Sequence, residues 1–202
     1  TSSGVYFDER SYRMNILEQQ VAHSNTKRSR LKNGGSFEVG PLSRFNLNYN
    51  SLCDQAKEAA EKAGMRPPVK NPFKSTIVRA IEIVQAVEEM REKLRGLSAI
   101  TPPGEVTFEE GFGAAVTEAP RGLLYHSYAL GKEGKVLSSD IVTPTAHNSL
   151  RIEEDVRELT PKVANLNDKA LTRLFGMLVR AYDPCISCSV HAVKVRLAKK
   201  QS

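Results

Sequence analysis

These 202 residues predict a mainly helical fold with a small antiparallel β component, on three observations. Ile77, Ile81, Val84, Met90 and Leu94 recur at helical spacing, with charges on the opposite face. Leu171, Leu174, Phe175 and Leu178 form a second apolar stripe nearer the carboxyl end. Between them, Leu123 to Leu130 and Lys135 to Val142 flank Gly131-Lys132-Glu133-Gly134, which suits two strands joined as a hairpin. The length allows one domain with a real core or two small ones. A hydrophobic content of 40% and a charged content of 26% are ordinary for a globular chain.

In chain order, residues 1–35 are polar. Their basic run Lys27-Arg28-Ser29-Arg30-Leu31-Lys32 ends at the turn signal Asn33-Gly34-Gly35 and reads as a solvated helix end. Gly40-Pro41-Leu42 marks a bend. Asp54 to Ala63, rich in Ala, Glu and Lys, is a short helix stopped by Gly64 and Pro67-Pro68. Cys53 falls within that helical pattern, where a buried thiol is the commoner outcome. Ser75 can cap the long helix of residues 75–95, which Gly96 ends, and Met90 in its stripe is expected in the core. Thr101-Pro102-Pro103-Gly104 is the best internal boundary, dividing residues 1–100 from 101–191. Ile152 to Leu159 is an acidic amphipathic segment ended by Thr160-Pro161. Asn167 or Asp168 caps the last helix, and after it Val193, Val195 and Leu197 alternate as in an exposed strand.

Charge and composition exclude several functions. No apolar run reaches the length of a transmembrane helix. Lys194, Arg196, Lys199 and Lys200 lie in the last eleven residues, and these four account for most of the +6 net charge. Nucleic acid is therefore not an expected partner, because a binder concentrates basic and aromatic residues on one face. Thr1-Ser2-Ser3-Gly4 shows neither an initiator Met nor a signal peptide. Three cysteines do not make a secreted disulfide framework, which favours a reducing compartment.

The chemistry concentrates in Asp183-Pro184-Cys185-Ile186-Ser187-Cys188-Ser189-Val190-His191, which holds two of three cysteines and one of four histidines. Two thiolates three apart, followed by an imidazole, can bind a thiophilic transition metal. A structural zinc site needs four closed ligands, and this run offers three at most. A c-type haem would need His directly after the second Cys, where Ser189 stands. A thioredoxin-like pair would open a helix after a strand, whereas this pair follows a helix and an Asp-Pro. A metal site here needs ligands from elsewhere. His126 and His147 are isolated in sequence, and a hydrogen-bonded core histidine is the safer reading for each.

The run resembles the carboxyl-terminal Asp-Pro-Cys-x-x-Cys-x-x-His signature of nickel–iron hydrogenase large subunits. Three further stretches are similar to that family in the same order. These are Val39-Gly40-Pro41-Leu42-Ser43-Arg44, Glu118-Ala119-Pro120-Arg121-Gly122-Leu123-Leu124-Tyr125-His126, and Ile141-Val142-Thr143-Pro144-Thr145-Ala146-His147-Asn148. The resemblance runs over essentially the whole chain and looks closest to the cytoplasmic, cofactor-coupled or sulfur-linked branches. It implies a large-subunit-like helical bundle, incomplete here, because the family's Arg-Gly-x-Glu segment and first Cys-x-x-Cys have no counterpart. Residues 1–100 would be bundle, 101–191 the part bearing the active site, and 192–202 a maturation peptide.

The resemblance also implies roles. Cys185 would be a terminal nickel thiolate, basic enough to take the proton when dihydrogen is split, and Cys188 would bridge nickel and iron. Arg121, following Pro120, would present its guanidinium to the open metal positions and hydrogen-bond an iron-bound cyanide, with a surface salt bridge as its alternative role. Thr145 would hold a second cyanide, and carbon monoxide would complete the iron shell. Asp183 would orient Arg121 or the surroundings of the cluster. His191 and the carbonyl of Ile141 would serve a magnesium ion. Asn148 and Glu118 would satisfy buried polar groups. Implied partners are dihydrogen, an iron–sulfur small subunit, the amino-terminal segment, nickel-insertion proteins and a maturation endopeptidase that cleaves after His191. The expected activity is reversible oxidation of dihydrogen by the assembled enzyme, the chain alone being inert. The alternative is a non-catalytic metal-binding, coupling or assembly module on the same fold.

Overall fold

The computed structural model describes residues 6–22, 24, 26–97, 104, 107 and 109–185. Six helices and five strands run in the order α1 (Tyr12–Asn15), β1 (Ile16–Gln19), β2 (Arg28–Leu31), α2 (Pro41–Asn48), α3 (Asp54–Lys62), α4 (Ser75–Arg95), β3 (Gly111–Ala119), β4 (Gly122–Leu130), β5 (Val136–Val142), α5 (Pro144–Leu159) and α6 (Asp168–Ala181) among the described residues. The mainly helical class with small antiparallel sheets holds.

Leu42 and Phe45 of α2, Ala56 and Ala60 of α3, and Val78 and Ile81 of α4 bury one cluster together with Met65 and Val69. Alanines at i and i+4 let α3 lie close on α4. Tyr12, Ile16, Tyr125, Val142 and Ala146 form a second cluster, in which the Tyr12 and Tyr125 rings stack 3.9 Å apart. That cluster ties the end of β5 and the start of α5 to the amino-terminal hairpin.

Several expectations need correction. The basic run is no helix end: Arg28 to Leu31 pair antiparallel with β1, Gln19 opposite Arg28 and Ile16 opposite Leu31. Alternation places Ser29 inside and the charged neighbours outward, a period of two that the polarity of the run conceals. Ser75 does not cap α4. Asn71 caps a preceding 3-10 turn through the Phe73 N–H, and Ser75 is buried in the first turn of α4. Cys53 lies just before α3 rather than within it, half-buried against the first cluster.

The α4 stripe also divides. Ile81 is buried, but Met90 is 56% exposed and Leu94 is 70% exposed. Met90 is therefore not in the core of the described residues. Ile83, Val87, Met90 and Leu94 follow each other at alternating spacings of four and three on the open face.

The predicted β4–β5 pair is present, with a third strand, β3, added along β4 from Gly111 opposite Leu130 to Ala119 opposite Gly122. Gly and Ala dominate β3 and have poor strand propensity, so pairing rather than composition makes it a strand. Thr143 caps α5 by accepting the Ala146 N–H, and Pro144 occupies its first position, so the helix begins eight residues before the acidic stretch that announced it. Asn167 caps α6, and Leu171, Phe175 and Leu178 are buried as the stripe predicts. The Thr101–Pro103 boundary, the strand over 193–197, and Cys188 and His191 lie outside the described residues.

Candidate active site

Four of the singled-out residues meet where the turn into β4, the start of α5 and the end of α6 converge. Helix α6 ends at Ala181, and the Asp183 N–H donates to the Arg180 carbonyl at 2.9 Å. Asp183 adopts φ +49°, the left-handed region that a short polar side chain tolerates best after Gly. The turn then runs through Pro184 to Cys185, whose N–H donates to Thr145 Oγ1 at 3.1 Å. Thr145 is buried in the first turn of α5. Arg121 Nε donates to the Asp183 carbonyl at 2.9 Å and lies 3.2 Å from its carboxylate. Arg121 is thus anchored two residues before Cys185. Its two Nη groups have no hydrogen-bond partner among the described residues.

Two glycines permit this meeting. Gly40 has φ +110° and Gly122 φ +133°. A Cβ on Gly40 would stand 2.7 Å from the Arg121 carbonyl, and one on Gly122 would stand 2.6 Å from Val39 Cγ2 and 2.8 Å from Gly40 N. The two segments cross backbone on backbone, which only Gly allows. Asn148 fastens the crossing: its Oδ1 accepts the Val39 N–H at 2.8 Å and its Nδ2 donates to the Val39 carbonyl at 3.0 Å. Glu118 is itself exposed, and it accepts at 2.8 Å from Arg44, whose side chain is only 19% exposed.

Beneath the turn lies a second polar group. Tyr182 donates its hydroxyl to Asp155, which also pairs with Arg151. Burial, then the charge of Glu38, then the hydrogen bond to and charge of Asp155 push the Tyr182 hydroxyl above its ordinary range. Burial and the charge of Asp155 raise the Glu38 carboxyl to about 7, with Arg151 opposing. His147 is fully buried, 2.6 Å from the Tyr12 hydroxyl, and burial lowers it to about 4, so it is a neutral core histidine. His126 is not in the core. It is half-buried on β4 beside the Tyr128 hydroxyl, at a shallow depression of about 500 Å³.

Ile141 is exposed near the end of β5, four residues before Thr145. Among the described residues no group of three His, Cys, Asp or Glu could hold a metal ion. Two of the expected donors, Cys188 and His191, lie beyond them. The chemistry present fits a soft-metal centre from one side, with a cysteine at the turn, a guanidinium with unused donors and a helix N-terminal threonine. Sequence reasoning missed Arg44, which sits inside one of the quoted stretches. Its partners are 38 to 76 residues away, and no local spacing signals them.

A mainly helical fold with small antiparallel sheets, in which an arginine, a threonine and a cysteine converge, is what this chain presents. The chain matches the nickel-dependent hydrogenase family over residues 5–191, and it belongs to that family. It is 43% identical to sulfhydrogenase 1 subunit alpha of Pyrococcus furiosus over 96% of this chain and 46% of that protein. It is 32% identical to sulfhydrogenase 2 subunit alpha of the same organism, over 93% of this chain and 46% of the relative. Its fold superposes on the crystal structure of an NAD+-reducing NiFe-hydrogenase in the H2-reduced state with a TM-score of 0.75, at 24% identity, covering 92% of this chain and 43% of the other. The chain spans about half the length of the curated relatives it matches. No helix among the described residues is long and apolar enough to cross a membrane.

Proposed function

We propose that this chain is the carboxyl-terminal, ligand-donating part of a nickel–iron hydrogenase large subunit. Joined with polypeptide covering the rest of its relatives' length and with an iron–sulfur small subunit, it catalyses reversible oxidation of dihydrogen to protons and electrons. One observation carries this reading. The Arg121 guanidinium is held by Asp183 two residues before Cys185, and the Cys185 N–H is held by Thr145. Three stretches far apart in sequence thereby bring a cysteine's backbone, an arginine and a helix N-terminus together.

When bound, the nickel–iron centre supplies the splitting of dihydrogen. Cys185 and Cys188 would hold it as thiolates, with the remaining ligands coming from the other polypeptide. Cys185 Sγ would accept the released proton. Arg121, whose Nε donates to the Asp183 carbonyl, would offer its Nη donors to a cyanide of the centre and would lend positive charge beside it. Thr145 accepts the Cys185 N–H and keeps its own hydroxyl proton, which would go to a second cyanide at the N-terminus of α5. Carbon monoxide would be the third diatomic ligand. His191 and the Ile141 carbonyl would serve a magnesium ion, with a third ligand from the other polypeptide. Electrons leave through the partner, since three cysteines are too few for iron–sulfur clusters here. A reducing, cytoplasmic setting suits these thiols.

Residues 1–100 act as bundle and 101–191 as the part bearing the active site. The open apolar seam of Ile83, Val87, Met90 and Leu94 supports a bundle completed by other helices. The family match stops at His191, which supports residues 192–202 as a maturation peptide removed by an endopeptidase after nickel insertion.

The test is coexpression with the complementary polypeptide, the small subunit and the maturation proteins. Expected are nickel and iron in the purified complex, a chain mass ending at His191, and hydrogen-dependent dye reduction. Cys185→Ser should bring nickel to background. Zinc alone in the complex overturns the reading, and stoichiometric nickel with residues 192–202 still attached overturns their role.

A further inference from the structure

Arg44 makes five hydrogen bonds, the full donor capacity of a guanidinium. Nε and Nη2 form a fork on Glu82 of α4 at 2.7 and 2.9 Å. Nη1 donates to Glu118 at 2.8 Å and to the Ala119 carbonyl at 3.0 Å, and Nη2 donates to the Pro120 carbonyl at 3.0 Å. The side chain is 19% exposed, and its bonds to Glu82 and to the Ala119 carbonyl are the part-buried ones. One residue of α2 thus grips α4 and the two peptide carbonyls immediately before Arg121. Gly40, which caps α2, lies so close to the Arg121 carbonyl that a Cβ there would stand 2.7 Å from it.

We propose that Arg44 is a positioning residue for Arg121, setting the direction of its guanidinium by clamping the Ala119 and Pro120 carbonyls against α4. The inference rests on the reading of Arg121 as the cation of the metal centre, and goes beyond it by naming what aims that cation. The β3–β4 connection is only Pro120 and Arg121 long. A rotation of either preceding peptide therefore swings the Arg121 side chain directly. A lysine keeps the charge but offers one tetrahedral ammonium, which cannot hold a carboxylate fork and two carbonyls at once. The pair with Glu82 brings in α4, so the loop is referenced to the helical cluster and not only to the exposed sheet.

Two measurements test this on the assembled protein. Amide hydrogen exchange over residues 119–122 is expected to quicken about tenfold or more in Arg44→Lys, with α6 unchanged. This arm needs neither metal nor turnover. In the active complex, Arg44→Lys is expected to keep nickel and iron and leave KM for dihydrogen unchanged, while kcat falls about ten- to a hundredfold, as small misplacements do. The loss should vanish in an Arg121→Lys background, because both changes act through one guanidinium. Unchanged exchange, or losses that multiply in the double variant, overturns the proposal. If Arg44→Lys does not accumulate, Glu118→Ala removes one bond and leaves the Glu82 fork. Exchange over 119–122 should then rise by a smaller factor, and no rise overturns the proposal. Absence of nickel or of hydrogen turnover in the unaltered complex defeats the hydrogenase reading instead, leaving the exchange arm to decide on Arg44.

Discussion

Glu38 and His147 show how one side chain responds to its surroundings, and they pull stability in opposite directions. Glu38 has its folded pKa raised from 4.5 to about 7, mainly by burial and then by Asp155. Between those values the folded state holds the proton more tightly, so its contribution is fully present below the unfolded value and is lost as pH rises through 7. His147 has its folded pKa lowered from 6.5 to about 4 by burial. The unfolded state then binds the proton more readily, so stability is lost as pH falls from 6.5 toward 4. The two effects oppose each other through the shared window. Glu38→Gln removes one of them. Its Tm relative to the unaltered chain should increase steadily from pH 4.5 to pH 7.5, and a difference that stays constant across that range would show that Glu38 does not titrate there.

Between elements, the decisive contact is the crossing of the segment before α2 with the β3–β4 connection. Both segments of that crossing carry a glycine at positive φ, and both approach closer than a Cβ permits. Gly122→Ala should destabilise the chain by about 2 kcal/mol or more, from backbone strain and from the clash with Val39 and Gly40, read as a lower urea midpoint. Gly113, in the same sheet with open space where a Cβ would go, is the control, and Gly113→Ala should leave the midpoint within about 0.5 kcal/mol. Equal losses at both positions would mean that the crossing carries no special constraint. α5 shows a related point. Its acidic second half was legible from amphipathic spacing, but its first turn was not, because the Thr143 cap and Pro144 that open it lie eight residues before that spacing begins.

Across the whole molecule, the apolar surface is distributed unevenly. The cluster joining α2, α3 and α4 uses one face of α4, and the seam from Ile83 to Leu94 faces outward. Contiguous exposed apolar residues at heptad spacing mark a packing surface. Replacing Val87, Met90 and Leu94 together by Gln should abolish binding of an apolar dye by the isolated chain and leave its Tm unchanged. A fall of several degrees would show that these side chains already support the described fold.

Residue types and local spacing settled a good deal: the helices over 54–62, 75–95 and 168–181, the β4–β5 hairpin, and a carboxyl-terminal run suited to thiophilic metal. Those features depend on neighbours within a turn or a strand pair, so their period is written along the chain. Tertiary structure alone decided that Arg44 grips Ala119 and Pro120, that Asn148 holds Val39, and that Thr145 meets Cys185 across 40 residues. Such bonds join positions whose separation has no period, and hydrogen bonding of buried backbone groups selects them only once the chain has closed on itself.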